Sequence, residues 1–471
     1  MNRIACSLLC AAVMLWPCAA RAENDSAALE EMKRQMEQLQ QQLRQLQNKM
    51  EKLESAKKPA PTPAVQTAPA PAPTGPIYTP PPQAPPPTTV AQPWSPSQPI
   101  TLLSSGSNYL NISFDTLVDA GTSTRKDVET LERGDHDPKQ RGFSLRNSEI
   151  ALDGAVDPYF KAFGNIVWKL DNNGESEVEL EEAYGLSTSL PWNLQVKTGQ
   201  FFTEFGRQNS QHPHAWDFVD QPLVMGRMFG PEGLRQVGAR VSWLAPTPFY
   251  TEVMLAVLNG RGGAAFSFRN TEDTFGRTAV DRDVEGVDDL LYVPRVVSSF
   301  DLTDTQTIVA GVSGAFGPND TGNGTYTQVY GADLYWKWRP ERAEQGFPFV
   351  AWQTEGMYRR YEAGADPTVA LPDETLKDGG FYSQLLWGFH LRWVAGLRGE
   401  YVSGNGSAFD AIDPLARDDR ARLSPNLTFY PTEFSKIRLQ YNYDHDEELD
   451  SEHSVWLQVE FLLGAHGAHK F

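Results

Sequence analysis

From residue 101 onward, apolar and polar side chains alternate with period two in segment after segment. Leu110, Ile112, Phe114, Thr116 and Val118 share one face of such a segment, and Asn111, Ser113, Asp115 and Asp119 share the other. Near the end, Ile437, Leu439, Tyr441 and Tyr443 alternate with Lys436, Arg438, Gln440, Asn442 and Asp444. Successive side chains of a strand point to opposite faces, so the pattern demands strands with one greasy face and one wet face. Sixteen segments fit it, at 108–120, 142–156, 159–171, 176–188, 192–204, 234–244, 248–258, 289–300, 305–316, 325–339, 347–361, 380–391, 393–403, 421–430, 435–445 and 453–464. Their connections alternate between short turns, such as Asp157-Pro158 and Pro431-Thr432-Glu433-Phe434, and longer polar loops at 121–141, 205–233, 259–288, 362–379 and 404–420. An even set of strands with that asymmetry predicts an all-β fold over residues 101–471, a transmembrane antiparallel β-barrel of about 16 strands.

A soluble β-sandwich or propeller also alternates, but it packs one face of each strand against a core. Here Lys161, Lys169, Lys337, Arg359, Arg398 and Arg438 stand in mid-strand on the polar face, which suits a water-filled lumen. The mean hydropathy of −0.44 is no objection, because alternating strands average out to hydrophilic. No stretch approaches 18 consecutive apolar residues, so no helical span is expected. Trp192, Trp243, Tyr335, Trp336, Trp338, Trp387, Trp393 and Tyr430 fall at strand ends and predict an aromatic girdle in contact with outer-membrane lipid.

Three segments precede the barrel. Residues 1–22 read as a signal peptide, with Arg3, the apolar run Ile4 to Leu15, and Ala20-Arg21-Ala22 as the cleavage site. Cys6, Cys10 and Cys18 all lie inside it, so the mature chain has no thiol for disulfides, metals or nucleophilic attack. Residues 23–54 carry Leu29, Met32, Met36, Leu39, Leu43, Leu46, Met50 and Leu53 in a 3-4-3-4 spacing, which predicts a coiled-coil stalk. No β-branched residue at these positions separates dimer from trimer. Residues 55–100 form a Pro-rich linker, an extended solvated spacer.

Loss of Arg3 and Arg21 with the signal takes the formal charge from −19 to −21. Acids and bases balance in residues 23–100, so the excess lies on the barrel region, and nucleic acid is excluded as a partner. No G-x-S-x-G elbow, H-E-x-x-H helix or phosphate loop occurs, and we expect neither catalytic residues nor a cofactor.

The stretches Gly142-Phe143-Ser144-Leu145-Arg146, Asp157-Pro158-Tyr159-Phe160-Lys161-Ala162, Gly199 through Arg207 and Pro431 through Asp444 resemble the phosphate-selective porin O/P family and its uncharacterised outer-membrane relatives. Terminal Phe471 resembles the C-terminal aromatic by which such barrels are recognised for assembly. The resemblance implies a passive porin, a homotrimer, in the outer membrane of a Gram-negative bacterium with its stalk in the periplasm. Members of this branch are sometimes labelled TonB-driven receptors, but such a transporter needs about 22 strands and a plug.

For the pore-lining face, the strand registers predict Lys161, Lys169, Lys197, Arg240, Lys337, Arg359, Arg392, Arg398, Arg422, Lys436 and Arg438 against Asp115, Asp119, Glu179, Glu181, Glu252, Asp333, Glu355 and Glu400. Such a wall is slightly basic, enough for weak anion preference and too mixed for phosphate selectivity. The acid excess falls in loops, as at Asp281, Asp283, Glu285, Asp288 and Asp289. The loop 205–233 occupies the place of a constriction loop, with Arg207, His212, His214, Asp217, Asp220 and Arg227 at the eyelet. His212 and His214 with Asp217 are weak metal candidates, as are His466 and His469, and no metal site is expected from their spacing. The expected function is a passive diffusion channel for small hydrophilic solutes or ions. Two alternatives stand beside it: a structural tether in which the stalk reaches a cell-wall or periplasmic partner, and a zinc-linked outer-membrane transport protein.

Overall fold

The computed structural model describes residues 99–170, 174–404, 406–446 and 450–464. The expected signal peptide, the coiled-coil stalk, all but the end of the Pro-rich linker, Phe471 and the His466–His469 pair lie outside the described residues.

Among the described residues seventeen strands run in chain order: β1 Ile100–Ser105, β2 Asn108–Ser123, β3 Gly142–Ala155, β4 Phe160–Leu170, β5 Ser176–Ser187, β6 Leu194–Phe202, β7 Arg235–Leu244, β8 Tyr250–Leu258 and β9 Leu291–Thr303, then β10 Gln306–Pro318, β11 Tyr326–Trp338, β12 Phe349–Ala363, β13 Glu374–His390, β14 Trp393–Ser403, β15 Arg420–Thr432, β16 Ser435–Asp446 and β17 Asp450–Leu463. From β2 to β17 each strand pairs antiparallel with the next, and β17 returns to β2 from Ser454 opposite Ser123 to Leu463 opposite Phe114, closing a sixteen-strand ring. The short β1 is an addition to the expected set. It pairs with Asn108–Ile112 of β2, the part of that edge which β17 leaves open below Phe114. None of the described helices is long and apolar enough to cross a membrane.

The expected alternation becomes an inside-out distribution of polarity. On β16 the inward Lys436, Arg438, Gln440, Asn442 and Asp444 are buried, whereas the outward Ile437, Leu439, Tyr441 and Tyr443 are exposed. Neighbouring strands continue the apolar outer face through Val455, Leu457 and Phe461 on β17 and Leu423 and Leu427 on β15. Of the expected girdle, Trp192, Trp243 and Trp387 are exposed on the outer surface. Tyr335 and Tyr430 are corrected, because they share the inward parity of Asp333 and Thr428.

Two further expectations need correction. Strand β13 begins at Glu374, before the segment read as 380–391. Its first turn of residues reverses the pattern, with Thr375 and Lys377 outward and Leu376 buried inward. Leu376 packs there with Tyr361 of β12 and with Phe275, Leu371 and Phe409 from the loops, so this part of the strand stands above the apolar band. The alternation of short and long connections is also not strict. Residues 319–325 are brief on the side of the long loops, and 339–348 are longer on the side of the short turns.

Position along β16 makes the outer face testable. Leu439→Arg, at mid-strand, is expected to destabilise the barrel in lipid vesicles by about 2–4 kcal/mol, and Tyr443→Arg, near the loop end, by about 0–1 kcal/mol. Urea titrations of the two reconstituted variants measure the difference. Equal costs would mean that this face is not graded by depth in a bilayer.

Candidate functional site

The connection between β6 and β7, residues 203–234, does not stay at the rim of the barrel. Near its start, the Gly206 amide donates to Ser313 Oγ on β10 at 3.1 Å, Arg207 Nε donates to Gln353 on β12 at 3.1 Å, and the Gln208 amide donates to Glu355 at 2.8 Å. His212 then lies against β4 and β5, where its Nε2 is 2.9 Å from Glu182. The following residues cross to the other wall. Trp216 O accepts from Arg438 at 2.9 Å, Asp217 accepts from Gln384 at 3.0 Å, and the Val219 amide donates to Gln440 at 2.7 Å. Strands on both sides of the ring are therefore bridged by one loop.

A short helix, α1 (Leu223–Phe229), forms at the far side of this path. Pro222 precedes its first residue, where a missing N–H costs nothing. No side chain of its own N-cap accepts a hydrogen bond, and the wall supplies one instead, as the Leu223 amide donates to Glu400 Oε2 at 2.7 Å. Gly230 ends it at φ 76°, with its amide on Gly226 O at 3.0 Å, and a Cβ there would lie 2.8 Å from Phe266. Val224, Met225, Met228 and Phe229 pack with Phe201, Phe205, Met357, Tyr382 and Val402, so the barrel interior contains an apolar core at this level. The wide water-filled lumen expected from the polar strand faces is narrowed here by packed loop.

Asp220 is the electrostatic centre of the loop. Its carboxylate accepts from Arg398 at 2.6 Å, from Gln440 at 2.7 Å and from Asn442 at 2.9 Å, and it pairs with Arg422. Burial favours the neutral acid, but the two guanidinium groups outweigh it and hold the carboxyl well below its ordinary range. Arg422 also meets Glu132 of the loop 124–141 at 2.8 Å. Around α1, Arg359 binds Asp378 at 2.8 Å and donates to Arg227 O at 3.0 Å, while Arg227 pairs with Asp418 at 3.2 Å.

The structure brings most of the expected residues to this interior network. Glu355, Glu400, Arg359, Arg398 and Arg438 hold the loop, and Lys169 joins Asp135, Glu179 and Glu232. Lys197 and Arg240 share Glu204. Arg207 lies over the Tyr335 ring at 4.1 Å. Lys161 and Lys337 remain exposed towards the short-turn end. Arg392 is a correction, since it occupies the turn between β13 and β14 at φ 69° and donates to Pro431 O on the surface.

His212 and His214 also lie inside, and the carboxylates near them are not Asp217. His212 Nδ1 is 3.1 Å from Glu181 and 3.7 Å from Glu149, and His214 Nδ1 is 3.5 Å from Glu149. Burial disfavours a charged His212, yet Glu149, Glu181 and Glu182 together raise its pKa well above the usual imidazole value. The sequence pattern missed Glu149 because a bulge at Arg146 shifts the parity of β3. It missed Arg295, which binds Asp333 at 2.6 Å, because Leu291, Val293 and Val297 make the inner face of β9 look like core.

Removal of Asp220 leaves two buried guanidinium groups without their shared anion, a loss of about 3–5 kcal/mol. In Asp220→Ala we expect amide exchange at Val219 and Leu223 to accelerate by roughly 100-fold or more while β15 and β16 stay protected. Hydrogen-exchange mass spectrometry reads this. A loss spread evenly over the strands would assign Asp220 to the barrel rather than to the loop.

No protein-family model matches the chain. An uncharacterised protein of Aquifex aeolicus (strain VF5) is 34% identical over 351 residues, which cover 71% of this chain and 71% of that protein. Among solved structures, the outer membrane channel DcaP of Acinetobacter baumannii is similar over 76% of this chain and 99% of its own, at 12% identity and a TM-score of 0.49. OprB of Pseudomonas putida is similar over 75% and 94%, at 12% identity and 0.49. An anion-selective porin from Comamonas acidovorans covers 76% and 100%, at 8% identity and 0.48. With a third of its residues shared over more than two thirds of both sequences, the chain belongs to the same family as the Aquifex aeolicus protein.

Proposed function

We propose that this protein is a porin-type channel of a Gram-negative outer membrane, which passes small hydrophilic solutes or ions passively through a lumen narrowed by residues 203–234. The observation that carries the reading is the inside-out polarity of the closed ring. Leu439, Leu457 and Phe461 face outward, while Arg398, Arg438 and Asp444 face inward. A closed barrel has no unpaired edge, and an apolar outer face is what lipid requires of it. The charged interior gives a hydrated solute a polar wall, and the chemistry is that of passage rather than catalysis.

Weak anion preference is the finer part of the proposal. Most inward charges are paired, so they present little net field to a passing ion. Lys161 and Lys337 have no ion-pair partner among the described residues and face the lumen at the short-turn end. Their positive charge is what an entering ion meets there. Assembly as a trimer and a periplasmic reach for the stalk belong to the same proposal, on analogy with other porins.

Single-channel recording in a planar bilayer under a salt gradient tests it. The wild-type protein is expected to give small steps in groups of three with a reversal potential of anionic sign. Lys161→Glu with Lys337→Glu is expected to move that potential towards cations, and Asp220→Ala to enlarge the steps by loosening the loop. Silence from folded wild-type protein and from Asp220→Ala alike would sink the channel reading and leave the tether as the better account.

A further inference from the structure

The segment His212-Pro213-His214 faces four carboxylates from the adjoining wall: Asp115 on β2, Glu149 on β3, and Glu181 and Glu182 on β5. Asp115 and Glu149 are fully buried, and Glu181 is 1% exposed. Their ligand atoms form two overlapping groups, Asp115–Glu149–His214 and Glu149–Glu181–His212, each within 4.8 Å and joined through Glu149. We propose that this cluster binds a divalent transition-metal cation, with Glu149, Glu181 and His212 as its ligands and Asp115 and His214 as an adjoining set that shares Glu149.

Charge is the first reason. Several carboxylates withdrawn from water in one place repel each other and require compensation. The nearby fixed cations are already engaged: Arg146 with Asp119 at 2.9 Å, and Lys436 with Glu460 and with His214 O. Asp115 is the independent sign of a missing partner. It is fully buried, and neither carboxylate oxygen has a hydrogen-bond partner among the described residues.

Geometry is the second. Donor atoms bound about 2.0–2.2 Å from a tetrahedral ion lie roughly 3.3 Å from one another. The His212 Nδ1–Glu181 Oε2 separation is 3.1 Å, with Asn165 Nδ2 on both atoms at 3.0 and 2.9 Å and displaced when an ion binds, and the His214 Nδ1–Glu149 Oε2 separation is 3.5 Å. His212 Nε2 lies 2.9 Å from Glu182 Oε2, so an imidazole that ligates through Nδ1 can donate its other N–H to a carboxylate. His136 lies 2.9 Å from the second oxygen of Glu181 and orients it in the same way. Imidazole with hard oxygen ligands and no thiol suits zinc, iron(II), manganese or nickel rather than a soft ion or calcium. Such an ion would fasten the loop to β2–β5, apart from the Asp220 contacts on β14–β16, and the site requires no conduction.

The test uses the full-length protein purified from membranes in detergent. We expect metal analysis of the isolated protein to find a divalent transition metal, and calorimetry after chelation to show about one equivalent of Zn²⁺ or Mn²⁺ taken up per chain. Glu149→Gln with His212→Gln should abolish uptake, Glu182→Gln should weaken it roughly 10–100-fold, and His445→Gln on the outer face should leave it unchanged. Heat-modifiable gel migration reports that each barrel is folded. Wild-type protein that takes up neither ion, or a folded Glu149→Gln/His212→Gln variant that binds as wild type does, overturns the proposal and assigns the cluster to protonated histidines.

Discussion

The seam where β17 meets β2 is the contact on which the rest of the structure depends. Ser454 to Leu463 lie opposite Ser123 to Phe114, and with that pairing every strand from β2 to β17 has a hydrogen-bonded neighbour on each side. Closure also creates an inside and an outside. A period-two strand in an open sheet has two equivalent faces until something covers one of them. In a ring the faces differ at once, and every strand must enter with the same parity. The outward Val459, Phe461 and Leu463 of β17 lie opposite the outward Val118, Thr116 and Phe114 of β2, so parity holds across the seam.

Closure then sets the problem that residues 203–234 answer. An interior lined by Arg359, Arg398, Arg422 and Arg438 cannot be filled by apolar side chains without stranding charge. The loop brings what those residues lack. Asp220 serves Arg398 and Arg422, the carbonyls of Arg227 and Trp216 serve Arg359 and Arg438, and the amides of Gln208, Val219 and Leu223 satisfy Glu355, Gln440 and Glu400. Each pairing adds little net stability against its desolvation cost, but losing one partner is expensive. The contacts therefore decide where the loop sits more than how stable the barrel is. The apolar face of α1 supplies burial as a separate contribution.

The strands were legible in the sequence because parity is a local property. Lys436 to Asp444 alternate with their apolar neighbours within a few residues, and nothing distant is needed to assign them. Legibility fails where the local pattern stops meaning inside and outside. The bulge at Arg146 breaks the count on β3, and the rim of β13 at Thr375 to Lys377 has left the apolar band. β1 was missed because Ile100 to Ser105 show no alternation and only complete an edge. The site was half legible. Composition and position marked 205–233 as a loop that enters the lumen, yet its partners, such as Asp220 with Arg422 or His212 with Glu149, are far apart in sequence. Pairing at that range is created by the ring.

The same distinction governs what inward charges can do. A tally of eleven bases against eight acids treats every inward side chain as equally available to a passing ion. In the folded chain, Arg359, Arg398 and Arg422 are fully engaged with carboxylates, and their fields largely cancel at short range. Lys161 and Lys337 remain solvated, and the exposed acids Asp281 and Asp283 at the loop end are paired with Arg261. The charges that an ion would meet on the wall are thus few, and they differ from the exposed acids, such as Glu285 and Asp288, of the loop end. Net charge of the wall measures how the loop is held, whereas the residues left in water determine preference among solutes.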